Sequence, residues 1–221
     1  MRSLLAIVLI GLLALGVALA AYAGKGWLDA ARDAPGLRAR AAAIEAAGGG
    51  VAALRPDQVR DLLAVEDPAF RSHSGVDATT PGAGATTLTQ SLAKRVAFKR
   101  FKPGLGKLRQ TAYAFSLERR LSKDEILALW LETASMGRAE AGWVTGFHAA
   151  AQAYFGKPAA HLAPREFHTL LAIGIAPGRL NPLRPSPELE ERVNRIERLL
   201  AGACAPKDHG DVWLDGCAAR T

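Results

Sequence analysis

The stretch PDQVRDLLAVEDPAFRSHSG, residues 56–75, places two adjacent acids at the end of an apolar helical pattern. Val59 and Leu62 begin a stripe at helical spacing, and Glu66 falls on the same stripe. We therefore predict an amphipathic helix with Glu66 on its apolar face and Asp67 facing solvent. A carboxyl group in apolar surroundings has a raised pKa, which suits proton transfer near neutral pH. The alternative is a frayed last turn that leaves Glu66 exposed.

Length and composition indicate one globular domain with an appendage. The chain has 221 residues, of which 49% are hydrophobic, and a formal net charge of +7. Such a charge favours an anionic partner: nucleic acid, a lipid surface or a phosphate-bearing substrate. Aromatic residues make up only 6% and do not alternate with basic ones as in nucleic-acid modules, so we expect no nucleic-acid partner.

The N-terminus contains an uncharged run, residues 4–24, that follows Arg2. A run of this length can span a bilayer as a single helix. The competing interpretation is a cleaved signal peptide, because ALA and AYA near its end are small-residue cleavage patterns. We predict a retained transmembrane anchor over residues 1–24. Both interpretations place the rest of the chain outside the cytoplasm.

The remaining chain divides into three parts. Residues 25–55 are rich in Ala and Arg and contain GGG, which predicts a helical stalk with a flexible joint. Residues 56–202 carry successive helical patterns without a clear alternating strand pattern, so we predict a mainly α domain. Within it SKDE, residues 122–125, is a capping box at a helix start. Residues 203–221 form a tail.

The tail contains both cysteines of the chain, Cys204 and Cys217. In an exported protein they are expected to pair and close a short loop. The alternative is two free thiols. A zinc site is not expected, because His209 lies between the cysteines without an evident fourth ligand.

Two cationic segments follow residues 56–75. TPGAGATTLTQSLAKR, residues 80–95, is a glycine-rich loop that enters a helix, where backbone amides with Lys94 favour an anion. An ordinary turn is the alternative. KRFKPGLGKLR, residues 99–109, adds Lys102, Lys107 and Arg109. This second segment is either a solvated or membrane-facing loop or a phosphate-binding one.

Five segments, in this order, resemble the motifs of the biosynthetic peptidoglycan glycosyltransferases, which include the transglycosylase domains of penicillin-binding proteins. They are EDPAFRSHSGVD, GATTLTQSLAKR, LERRLSKDEILALWL, GFHAAAQAYFGK and APGRLNPLRP. The resemblance covers about residues 56–200.

The resemblance implies a lysozyme-like helical fold, and it implies polymerisation of lipid II into glycan strands with release of lipid pyrophosphate. Glu66 takes the position of the general base on the acceptor sugar. Thr86, Gln90 and Lys94 take positions that contact pyrophosphate or sugars, whereas His73 is expected to hold its loop. The implied setting is single-pass anchoring in the bacterial inner membrane, with the domain on the periplasmic face. Implied partners are lipid II, the growing strand, and penicillin-binding proteins or divisome and elongasome components.

The sequence departs from the family pattern at several places. The second catalytic glutamate of the family, placed near a divalent metal, corresponds here to Gln110. A glutamine is uncharged and can neither bind a metal strongly nor act as an acid or base. We therefore assign no metal ligand and no cofactor, and regard Mg or Mn binding as doubtful. The segment before GATTLTQ is about a dozen residues shorter than usual for the family, Glu132 replaces an asparagine, and Ser91 replaces a glutamine.

These departures leave several hypotheses. A divergent active polymerase would stabilise the leaving group with Lys94, Lys102, Lys107 or Arg109, or would carry its second carboxylate on Glu132. A catalytically impaired member would bind lipid II, or serve as a scaffold, without turnover. A hydrolytic lysozyme or lytic transglycosylase is a third hypothesis, against which the second motif and the basic loop argue.

Overall fold

The computed structural model describes residues 2–219; Met1 of the predicted anchor and residues 220–221 of the predicted tail lie outside the described residues. Eight α-helices and one hairpin follow one another within this range. They are α1 (Arg2–Ala46), α2 (Pro56–Glu66), α3 (Leu88–Ala97), α4 (Leu105–Glu118), α5 (Lys123–Thr133), β1 (Ser135–Ala139), β2 (Gly142–Thr145), α6 (Phe147–Phe155), α7 (Pro164–Gly174) and α8 (Pro187–Leu200).

Helix α1 has two halves with different surroundings. Its large apolar side chains from Leu4 to Val17 are each more than half exposed, and by length and composition the helix can cross a membrane. Beyond residue 25 the same helix buries a stripe at helical spacing. That stripe consists of Ala30, Ala34, Leu37, Ala41 and Ile44.

The segment expected as a stalk is therefore also part of the domain. The second half of α1 packs along α4 and α5. Arg109 donates to the Asp29 carboxylate over 2.7 Å, and the Tyr113 hydroxyl donates to Asp33 over 2.8 Å. These partly buried polar contacts join the second half of α1 to the domain, and the helix is continuous up to Ala46.

The core is one continuous apolar cluster. Helices α1, α3, α4 and α5 contact one another, and α5 connects them to α6, which packs on α7 and through it on α8. The local sequence explains where the helices begin. Thr87 and Gln90 form a capping box at α3, and the predicted box of Ser122 and Glu125 is confirmed at α5. Pro56 opens α2 at a position where a missing amide costs nothing.

The hairpin of β1 and β2 was not predicted. The two antiparallel strands have five and four residues, and their register shifts between Ser135 and Arg138. The irregularity breaks the alternation of buried and exposed residues by which a strand is recognised in sequence.

In the structure Cys204 and Cys217 are joined by a disulfide. Cys204 lies just beyond the end of α8, and Cys217 is buried at the end of the tail. The bridge therefore ties the tail back onto α8.

Asp67 does not face solvent, and that expectation is wrong: the residue is fully buried. Its Oδ2 accepts the backbone N–H of Leu88, at the start of α3, over 2.9 Å. The same oxygen lies 2.9 Å from Nε2 of His73. Because Nδ1 of His73 accepts the Gly75 N–H over 2.9 Å, Nε2 carries the proton that is donated to Asp67. Asp67 thus connects the end of α2, the loop after it and the start of α3.

Replacing Asp67 by Ala should lower the free energy of unfolding by about 2–4 kcal/mol, because it leaves two buried donors without an acceptor. Thermal and denaturant unfolding of the full chain in detergent measures the change. Asp124→Asn is the matched control: this acid pairs with Arg71 at an exposed site and should cost no more than about 0.5–1 kcal/mol. Equal losses in the two variants would contradict the role of Asp67.

Candidate active site

Glu66 lies in the last turn of α2 and lines a cavity of about 270 Å³. The other walls come from four separate parts of the chain. They are residues 82–86 of the glycine-rich loop, Ile175 after α7, Arg192 of α8 and Val212 of the tail.

Burial raises the pKa of the Glu66 carboxyl group from its ordinary value of 4.5 to about 7. The positive charges of Arg192 and Arg95 oppose this shift, and the neighbouring carboxylate of Asp67 adds to it. The side chain is only partly buried, so a molecule bound in the cavity can reach it. A carboxyl group with this pKa can accept a proton near neutral pH.

The end of α7 approaches Glu66 closely at Gly174. A Cβ atom at this position would lie 2.8 Å from Oε1 of Glu66, which is shorter than van der Waals contact allows. Because Gly174 has no side chain beyond a hydrogen atom, the end of α7 can pack against the Glu66 carboxylate and contribute to its burial.

Arg192 is a functional candidate that sequence reasoning missed. Its side chain is 4% exposed, it lines the same cavity as Glu66, and its Nε and Nη1 have no hydrogen-bond partner among the described residues. Burial lowers the pKa of its guanidinium to about 10, so the group stays cationic at neutral pH. The sequence did carry a signal: Arg192 falls on the apolar stripe of Leu189, Val193 and Ile196, as Glu66 does on its own helix.

A cationic rim adjoins the cavity at Thr86. Nζ of Lys107 donates to the Thr86 hydroxyl over 2.9 Å and to the Ala85 carbonyl over 2.6 Å. Partial burial and the nearby charge of Lys94 lower the pKa of Lys107. Two lysines that repel each other beside an open cavity favour a bound anion.

Three amides of the glycine-rich loop and the start of α3 are not free to bind an anion, as the sequence suggested they could. The N–H groups of Gly82 and Gly84 donate to the carbonyls of Asp208 and His209 over 2.9 and 2.8 Å. At the start of α3 the Leu88 amide is already bound to the buried carboxylate of Asp67. The expectation of free amides is therefore wrong at these positions, because residues of the chain itself already accept their hydrogen bonds.

Gln90 and Gln110 lie next to each other in the interior, outside the cavity lining. Nε2 of Gln110 donates to the backbone carbonyl of Gln90 over 2.7 Å, and its Oε1 is buried without a partner. The side chain of Gln90 caps α3 through Thr87 and donates to Thr111 over 3.0 Å. Both amide side chains thus hold α3 against α4.

The other charged candidates do not line the Glu66 cavity. Lys94 and Lys102 are exposed, Lys94 on α3 and Lys102 in the loop after it. Arg109 is bound to Asp29 of α1 rather than directed at the cavity. Glu132 does not replace the missing acid at the cavity, because its carboxylate pairs with Arg40 of α1 at 2.7 Å.

The residues near Gln110 do not fit a divalent metal ion. An amide oxygen is a weak ligand, and the ions in question prefer carboxylates. Across residues 2–219, no group of three or more His, Cys, Asp or Glu side chains is placed to share an ion. The chemistry of this site therefore has to be derived from Glu66 and the cations around it.

The arrangement combines one partly buried acid, a buried guanidinium with two unpartnered nitrogens among the described residues, and a cationic rim. The acid can take a proton from a hydroxyl group held in the cavity. The cations can stabilise negative charge that develops on a leaving group. Such a site suits displacement of an anionic leaving group by a hydroxyl nucleophile.

Comparison with known proteins identifies relatives of this domain. The chain is 34% identical over 155 residues to penicillin-binding protein 1F of Bacillus subtilis, which covers 64% of this chain and 21% of the relative. It is 32% identical to penicillin-binding protein 1A of Pseudomonas aeruginosa, over 65% of this chain and 19% of the relative. It is also 32% identical to the biosynthetic peptidoglycan transglycosylase of Nitrosomonas eutropha, over 66% and 64% of the two chains.

The chain thus spans about a fifth of the length of the first two relatives and 64% of the third. The family model described as Transglycosylase matches residues 51–201, which include α2 to α8 and every part of the Glu66 cavity except the tail. This match confirms the resemblance drawn from the five motifs, together with the mainly α, lysozyme-like fold that it implied. The chain belongs to the transglycosylase family.

Proposed function

We propose that this protein is a membrane-anchored peptidoglycan glycosyltransferase that polymerises lipid II into glycan strands. The observation that carries the proposal is the cavity in which Glu66, with a pKa of about 7, lies beside the buried cation Arg192. The name of the Nitrosomonas eutropha relative supports the same activity.

In the proposed reaction Glu66 accepts the proton of the 4-hydroxyl group of the acceptor sugar. The resulting oxygen nucleophile attacks the anomeric carbon of the donor, the bond to the lipid pyrophosphate breaks, and the pyrophosphate leaves with its electron pair. Proton removal and attack occur in one step. Glu66 must be ionised before this step and is protonated after it.

The departing pyrophosphate requires positive charge close to the cavity. Lys107, with Lys94 nearby, forms the rim at Thr86, and Arg192 supplies a guanidinium from the cavity lining. We assign these three cations to leaving-group stabilisation. Lys102 lies in the loop after α3, is exposed and is assigned a weaker, screened contribution, whereas Arg109 is assigned to the α1 contact.

The apolar half of α1 and the penicillin-binding-protein relatives suggest membrane anchoring. We propose a single pass through the bacterial inner membrane, with the domain on the periplasmic face. Lipid II and the growing strand would then meet the cavity from the membrane surface. Penicillin-binding proteins or divisome and elongasome components are proposed as partners in wall synthesis.

The neutral Gln110 favours a second candidate, a member that binds lipid II without turnover. We favour the active enzyme, because the cavity retains an acid whose pKa suits a base and cations suited to the leaving group. The two candidates differ in whether strands grow from labelled lipid II.

Glu66→Gln should abolish polymerisation of labelled lipid II while the variant still binds it, because the amide cannot accept the hydroxyl proton.

The same variant should be more stable than the wild type at pH 8. The folded-state pKa of about 7 exceeds the ordinary 4.5, so protonation stabilises the fold at low pH and this contribution is lost as pH rises through 7. The expected gain is on the order of 1–3 kcal/mol, since one pKa unit corresponds to ~1.4 kcal/mol.

Strand length on gels and thermal unfolding at pH 5 and pH 8 test this variant. Glu140→Gln, at the exposed hairpin turn, is the control and should change neither activity nor stability. Unchanged strand output from Glu66→Gln would remove this residue from the mechanism.

The rate should fall as pH drops through about 7, because protonated Glu66 cannot act as a base. Arg192→Met removes a positive charge that lowers the Glu66 pKa, so this acid limb should move to higher pH. Arg192→Lys retains the charge and should move it less. Rate profiles from pH 5 to pH 9 measure both shifts. An acid limb at the same pH in the wild type and the two variants would disprove the electrostatic coupling of Arg192 to Glu66.

Polymerisation should be insensitive to a chelator, because the residues at Gln110 do not supply a divalent-metal ligand set. The measurement is strand growth with and without EDTA, using a phosphate-free buffer. A large loss of activity in EDTA that added Mg²⁺ restores would contradict this assignment.

A further inference from the structure

Residues 203–219, called the tail, lie beyond the family match but hold the glycine-rich loop in place. Two tail carbonyls, of Asp208 and His209, accept the amides of Gly82 and Gly84. In return Nδ1 of His209 lies 2.9 Å from the carbonyl of Thr80 and donates to it, since a carbonyl oxygen only accepts. Three hydrogen bonds therefore join the glycine-rich loop and the tail, which are two segments of the same chain.

The same two glycines allow close packing. Gly82 and Gly84 have φ values of +79° and +67°, and a Cβ atom at Gly82 would lie 2.8 Å from Cγ of Pro206. A Cβ atom at Gly84 would collide with Cγ1 of Val212. Side chains at these positions would push the tail off the loop, so the glycines provide the surface on which the tail lies.

The tail is fastened to α8 at its other side. The Cys204–Cys217 disulfide closes it, and the guanidinium groups of Arg195 and Arg198 donate to the carbonyls of Trp213 and Cys217 over 3.1 and 2.6 Å. Leu214 is buried in the core at 2% exposure. The tail is thus held between α8 and the loop, with Val212 facing the Glu66 cavity.

We propose that the tail is an integral wall of the substrate cavity, in which Val212 is a specificity-determining contact for the bound sugar and the disulfide keeps this wall in place. An apolar side chain there fits the face of a sugar ring, and it excludes water from Glu66. The kinetic part of this inference rests on the proposed function, whereas the structural part does not.

Hydrogen exchange of the full chain in detergent tests the structural part. Dithiothreitol, a dithiol, donates two electrons and two protons to the disulfide, yielding two thiols and its own cyclic disulfide. The amides of Gly82 and Gly84 should then exchange about tenfold faster or more, because their acceptors lie in the released tail. A Cys204→Ser, Cys217→Ser double variant should show this faster exchange without reductant and no further response to it.

Steady-state kinetics with labelled lipid II test the kinetic part. Val212→Ala should raise KM about three- to tenfold, because it removes apolar contact with the substrate. It should also move the acid limb to lower pH, because water entering the cavity reduces the burial of Glu66. Among residues 2–219, the charged groups that act on Glu66 are Arg192, Arg95 and Asp67. Val144→Ala on β2, outside the cavity lining, is the matched control and should change neither quantity.

Two results would overturn the inference. Exchange at Gly82 and Gly84 that ignores both reductant and the double variant would show that the disulfide does not hold the tail. A Val212→Ala enzyme with unchanged KM and an unchanged acid limb would show that the tail is no wall of the working cavity. Hydrogen exchange can be measured on an inactive protein. A wild type without polymerase activity would therefore contradict the proposed function, and the exchange data would still test the structural part of the inference.

Discussion

The desolvation of one carboxylate, Glu66, is the constraint on which the site depends. The end of α2, the close approach of Gly174, the glycine-rich loop and the tail together remove water from this group, and its pKa rises to about 7 in consequence. Two arginines, the partly buried Arg95 and the buried Arg192, limit the shift. Without them the acid would hold its proton more tightly and serve less well as a base at neutral pH.

The two adjacent acids of the first motif have opposite roles, and both are taken out of open solvent. Asp67 accepts hydrogen bonds from the start of α3 and from His73, so it is satisfied and structural. Glu66 faces a cavity, with space for a reacting hydroxyl group. The structural acid, Asp67, and the acid that can transfer a proton, Glu66, are thus neighbours in the sequence with side chains in different surroundings.

Gln110 occupies the interior position at which members of this family are expected to carry a second acid. Gln110 and Gln90 bind each other's helices through amide groups, and an ionised carboxylate at position 110 could not donate to the Gln90 carbonyl. Positive charge beside the cavity then comes from lysines and a buried arginine, and the proposed chemistry uses one carboxyl group. The disulfide-closed tail adds a wall that the family match does not include.

The sequence by itself determined the helical class, the apolar N-terminal helix, the capping box at Ser122 and the position of Glu66 on an apolar stripe, because each depends on the spacing of nearby residues. Ordered motifs also identified the family. The tertiary structure alone decided that Asp67 is buried, that the amides of Gly82 and Gly84 serve the tail and not an anion, and that Arg192 faces Glu66. Each of these depends on contacts between segments more than 20 positions apart in the chain, and local spacing carries no information about which distant partner satisfies a given donor or charge.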